Sequence, residues 1–126
     1  MSVLDTIKER GNIRRYLSKP VPRDSLLKII EAARLAQSAA NRQPWQFILA
    51  SNDETKKKLA AAARNQDLVR GGATVMVCLV NPGESAKVGP FEGFLIDLAI
   101  AVENMALTAW ISASAVAGLV PSTRAP

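Results

Sequence analysis

The stretch Ser38-Ala39-Ala40-Asn41-Arg42-Gln43-Pro44-Trp45-Gln46-Phe47-Ile48-Leu49-Ala50 passes from small and polar side chains to a run of large apolar ones. Gln37 to Pro44 predicts a loop, because Ser and Asn bond their own backbone readily and compete with helix and strand. Trp45 to Ala50 predicts a strand, with Pro44 tolerated at its edge. A second strand is predicted over residues 74–80, Thr74-Val75-Met76-Val77-Cys78-Leu79-Val80, after the Gly71-Gly72 break and before Asn81-Pro82-Gly83. The segment from there to Gly93 reads as an exposed loop.

Helical spacing accounts for most of the remainder. Residues 2–9 place Val3, Leu4 and Ile7 on one side and end near Gly11. Pro22 and Asp24 suit a first turn, where proline lacks only a donor that would be unpaired and an acid meets the positive end of the dipole. Leu26, Ile29, Ile30 and Ala33 then repeat at helical period to about Leu35. Ser51 and Glu54 have capping-box spacing, so a third helix is expected to start there and run through Lys58 and Ala63. Residues 94–109 form the most apolar helix, with Leu95, Leu98, Ala99, Val102, Met105, Ala106 and Ala109 on one face and Ile96, Ile100 and Leu107 on the other. A helix apolar nearly all round has to be covered on several sides, by a core or by a second subunit. This order favours an α/β or α+β architecture, and two strands alone do not make a stable sheet, so further strands are expected.

Composition narrows the chemistry. The 126 residues, 48% hydrophobic and 21% charged, fit one globular domain. No apolar segment follows Met1, and the longest apolar stretch contains Asp97 and Glu103, which predicts a soluble, cytoplasmic protein without a membrane partner. Histidine is absent, which excludes Ser-His-Asp and Cys-His catalysis and the usual zinc sites; no metal ligands are assigned. The single cysteine, Cys78, lies in an apolar run and reads as a buried, inert thiol. A net charge of +5 suits an anionic ligand, either a phosphate-bearing cofactor or a nucleic acid. A nucleic-acid surface would interleave aromatics with clustered cations, whereas this chain has six aromatics and scattered basic residues, so no nucleic-acid partner is expected. A small basic binding domain and a dimeric interaction module without catalysis are the competing readings.

Two segments carry the candidate site: Arg10-Gly11-Asn12-Ile13-Arg14-Arg15-Tyr16, with Lys19-Pro20-Val21 behind it, and Ser38-Ala39-Ala40-Asn41-Arg42-Gln43-Pro44-Trp45. A guanidinium fork supplies the charge-assisted, bidentate donors that a phosphate dianion needs, which suits Arg10 and Arg14. Asn12 and Ser38 add neutral hydrogen bonds. Asn41 and Gln43 carry amides that both donate and accept.

In order and context these segments resemble the flavin site of the nitroreductase family, in which an Arg-Arg-Ser-x-Arg segment follows the first helix and Pro-Ser-x-x-Asn-x-Gln-Pro-Trp leads into a strand. The helix with Asp97, Asn104 and Trp110 resembles the family's central dimer helix, so the resemblance runs from about Ile7 to Trp110. It implies an α+β fold, a three-layer α/β/α sandwich, incomplete at the C-terminus. It also implies FMN as cofactor, held by Arg10, Asn12, Arg14, Ser38, Asn41 and Gln43, with one segment from each subunit of a homodimer. NAD(P)H is then the electron donor, and a small-molecule acceptor such as a nitroaromatic or quinone is reduced by two electrons. No catalytic side chain is implied, because the hydride chemistry belongs to the flavin. Gly11, Asn12 and Gln37 depart from the family pattern at positions near the phosphate, whereas Asn41-x-Gln43-Pro44-Trp45 keeps it.

Residues 1–110 thus read as the N-terminal part of one domain, and 111–126 as a divergent tail. With codons chosen for the purpose, Ile111 onward with one base added before it becomes Asp-Leu-Gly-Ile-Gly-Ser-Cys-Trp-Ile-Gly-Ala-Phe-Asp-Glu-Ser-Ala. That string resembles the family's Gly-rich strand, so a one-base deletion after the Trp110 codon, and a truncated product, are expected.

Overall fold

A computed structural model describes residues 2–17, 19–64 and 67–112. The expected tail therefore lies, beyond Ser112, outside the described residues. Helix α1 spans Val3–Glu9 and is opened by Ser2, whose hydroxyl accepts from the Asp5 amide while the Asp5 carboxylate accepts from the Ser2 amide. Helix α2 spans Arg23–Arg34 and follows Pro22. Strand β1 spans Trp45–Ala50, helix α3 Asp53–Ala62, helix α4 Asp67–Gly71 and strand β2 Val75–Val80. A short hairpin follows, β3 Lys87–Val88 and β4 Phe91–Glu92, and leads into helix α5, Gly93–Ile111.

Three expectations are corrected. Helix α3 is capped by Asn52, whose Oδ1 accepts from the Glu54 and Thr55 amides. Ser51, expected to cap it, lies in hydrogen-bond contact with Thr74 instead. The segment read as loop up to Gly93 contains the β3–β4 hairpin, too short to show a period. The buried stripe of α5 is Gly93, Asp97, Ala101, Met105 and Ala109, a four-residue spacing, while Leu95 is 65% exposed. With 3.6 residues per turn, a stripe at every fourth position winds around the helix by about 40° per step. Uniform apolarity hid that stripe.

Strands β1 and β2 pair antiparallel, with Trp45 opposite Val80, Phe47 opposite Cys78 and Ala50 opposite Val75. One sheet face presents Trp45, Phe47, Met76 and Cys78 to a core built from Ile29, Ala33 and Ala36 on the α2 side and Ala101, Met105 and Ala109 on α5. Ala33 and Ala101 are wholly buried, so methyl groups let the α2 and α5 backbones approach closely. The other face is apolar too, with Ile48 50% and Leu79 42% exposed. Apolar residues on both faces mark a sheet built for helices on either side.

Helix α5 is long and apolar enough to cross a membrane by length and composition alone. Three of its polar residues nonetheless bind other parts of the fold. The Asn104 amide donates to the Ala32 carbonyl of α2 at 3.3 Å, Glu103 accepts from Arg10, and Asp97 accepts from Ala39. At its start, a Cβ on Gly93 would collide with the Ala86 carbonyl oxygen, so the hairpin and the first turn of α5 pack backbone to backbone.

Candidate functional site

The loop between α2 and β1 contains a short 3₁₀ turn, Ala39–Asn41. Ala40, Asn41 and Gln43 have φ of 53°, 52° and 51°. Left-handed backbone costs a residue with a Cβ about 1–2 kcal/mol, and Asn tolerates it better than Ala or Gln. Several bonds impose the shape. The Asn41 amide donates to the Ser38 carbonyl at 2.9 Å, and the Gln43 amide to Ser38 Oγ at 3.0 Å. At the exit, the Asn81 amide donates to the Pro44 carbonyl at 2.9 Å. At the entry, the Ala39 amide donates to Asp97 Oδ1 at 2.9 Å. The Asn41 and Gln43 side chains are left exposed and without a hydrogen bond among the described residues. Gln43 also lines an open depression of about 630 Å³ with Ile30, Arg34, Trp45, Phe47 and Ile48. Trp45 packs against the core, as a strand aromatic should.

The other segment leaves α1 at Arg10. Its guanidinium donates to Glu103 Oε1 at 3.1 Å, while its Nε is buried with no hydrogen-bond partner among the described residues. Asn12 and Arg14 are exposed, and Arg14 forms no ion pair among the described residues. The Tyr16 hydroxyl donates to the Ile13 carbonyl at 3.0 Å and closes a turn around Arg14. Burial pushes that hydroxyl's pKa up, and the nearby Arg14 guanidinium opposes the shift. Burial likewise raises the Cys78 thiol, which leaves it protonated and unreactive at neutral pH.

Both segments are fastened to α5, at Asp97 and at Glu103. Six residues of α-helix correspond to about 9 Å along the axis and about 120° around it. Within one chain, the arm from Arg10 and the loop from Ser38 therefore attach on different sides of α5. Sequence reasoning singled out neither Asp97 nor Glu103 as an anchor. The available signal was the presence of ionisable groups in an otherwise apolar helix, where they persist only if paired.

Comparison with known proteins identifies the fold. Residues 7–81 match the family model described as Nitroreductase family, more than half of the chain. A protein of Archaeoglobus fulgidus described as an NADH dehydrogenase/NAD(P)H nitroreductase is 36% identical over 107 residues, covering 84% of this chain and 60% of its own length. The crystal structure of a nitroreductase family protein from Clostridium novyi superposes with a TM-score of 0.83 at 34% identity, covering 89% of this chain and 65% of that one. A Desulfovibrio desulfuricans nitroreductase solved in complex with FMN gives a TM-score of 0.79 at 29% identity, over 87% of this chain and 63% of that one. The chain belongs to the nitroreductase family and has its α+β fold. It spans about 60% of the length of these relatives.

Proposed function

We propose that the chain carries the N-terminal flavin-binding segments of an FMN-dependent NAD(P)H oxidoreductase that works in the cytoplasm as a homodimer and reduces nitroaromatic or quinone-like acceptors by two electrons. One observation carries the reading: a loop held in left-handed backbone presents two amide side chains, Asn41 and Gln43, with no internal partner among the described residues. Strained backbone of this kind persists where function requires it. The donor set fits FMN. Arg14 offers an unpaired guanidinium for the phosphate, Asn12 and Ser38 offer neutral donors, and Asn41 and Gln43 offer the donor–acceptor pairs that the ring edge and ribityl chain need. Arg10 suits the phosphate by charge, and one nitrogen of its guanidinium is paired with Glu103. Bound FMN would supply the hydride chemistry, and this chain's residues would bind and orient it.

The dimer is supported by the same geometry. Leu95, Ile96 and Ile100 of α5 are 65%, 41% and 37% exposed, an apolar surface of the kind that marks an interface. The arm and the loop diverge around α5 in one chain, so a second copy is what could bring one chain's arm to the other's loop. The test is direct. Protein reconstituted with FMN should be yellow, release flavin on heating and oxidise NADH or NADPH in the presence of a quinone. A colourless protein that leaves free FMN fluorescence unquenched would sink the assignment.

A further inference from the structure

Asp97 is 2% exposed, and its side chain makes one hydrogen bond among the described residues, to a loop 58 residues away in sequence: Oδ1 accepts the Ala39 amide at 2.9 Å. Its Oδ2 is buried with no hydrogen-bond partner among the described residues. A buried carboxylate with one oxygen unpaired is costly, and an apolar side chain of the same shape is often neutral or stabilising in its place. Packing alone does not explain an aspartate here. The loop it holds does: Ala40 and Gln43, immediately downstream, stay in left-handed backbone only if their surroundings over-determine them.

We propose that Asp97 is a positioning residue, whose carboxylate pins the entry of the 38–43 loop and thereby sets how Asn41 and Gln43 are presented to the flavin. The second half of this statement rests on the FMN reading above. The geometry of the pin does not.

The decisive variants separate packing from positioning. Asp97→Leu keeps the shape and removes the acceptor; the unpaired Ala39 amide offsets what the apolar side chain gains, so thermal stability should change little. The Ala39 amide should lose its downfield NMR shift and exchange faster, and FMN affinity should fall about tenfold or more, the size expected when a buried donor loses its acceptor. Asp97→Asn keeps an acceptor oxygen and should restore affinity to within roughly threefold of the parent. Glycine adopts left-handed backbone without strain, so in an Ala40→Gly background the loss from Asp97→Leu should shrink, a non-additivity that a purely structural role would not produce. An unchanged Ala39 amide in Asp97→Leu, or strictly additive effects with Ala40→Gly, overturns the proposal. If the parent protein itself fails to bind FMN, the functional reading falls, and the amide exchange and stability measurements still decide whether Asp97 pins the loop.

Discussion

The Arg10 guanidinium lies 3.1 Å from the Glu103 carboxylate, so the cation that the sequence marks out for a phosphate is held by the central helix. Both side chains are partly solvated, at 33% and 51% exposure, and a pair of that kind contributes about 0–1 kcal/mol. A phosphate dianion is a strong enough competitor to displace it.

Glu103→Gln should therefore release Arg10. Stability is expected to fall by less than about 1 kcal/mol, while FMN binding tightens by roughly twofold to fivefold. A fluorescence titration that returns equal affinities for parent and variant would mean that Arg10 never reaches the phosphate.

Arg14 has no ion pair among the described residues and is exposed. Arg14→Ala is expected to leave the melting temperature unchanged and to weaken FMN binding by about 1.5–3 kcal/mol, the range for a charge-assisted bond. Riboflavin, which lacks the phosphate, should bind parent and variant alike.

Gly93→Ala brings a methyl group onto the Ala86 carbonyl, a backbone atom that cannot swing away. Overpacking of this type costs about 1–3 kcal/mol. The urea midpoint should drop with no change in the slope of the transition, and a parent-like midpoint would show that the hairpin yields.

Leu95 is 65% exposed on α5. Leu95→Glu should shift the sedimentation profile from dimer toward monomer, because a carboxylate in an apolar interface has no partner to offset its lost hydration. A parent that sediments as a monomer at every concentration contradicts the dimer.

The reading frame is open to an equally simple check. The coding DNA beyond the Trp110 codon is expected to continue with family-like sequence one base out of the frame that encodes Ile111 onward. An early stop in that alternative frame rules the idea out.

Much of this was legible in the chain because apolar spacing reports directly on burial. Leu26, Ile29, Ile30 and Ala33 announce α2, and Trp45 to Ala50 announce β1. The misses have physical causes. Asn52 and Ser51 are both competent caps one residue apart, and only the tertiary contact to Thr74 decides between them. Helix α4 is five residues long and carries too few apolar positions to show a period. Within the candidate site, Asn41 and Gln43 stand out in the sequence by their amides, but the left-handed backbone at Ala40 and Gln43 does not, since neither residue favours it. The bonds from Arg10 to Glu103 and from Ala39 to Asp97 span 93 and 58 residues, beyond the reach of any local pattern.

Helix α5 grips the arm through Glu103 and the loop through Asp97, which makes it a camshaft for the two halves of the site. A helix with its side chains has a radius of about 5–6 Å, so a turn of roughly 20° about its axis sweeps both carboxylates through about 2 Å. Neither half can then be displaced by α5 without the other. Whatever fixes the rotation of this one rod sets the timing of both.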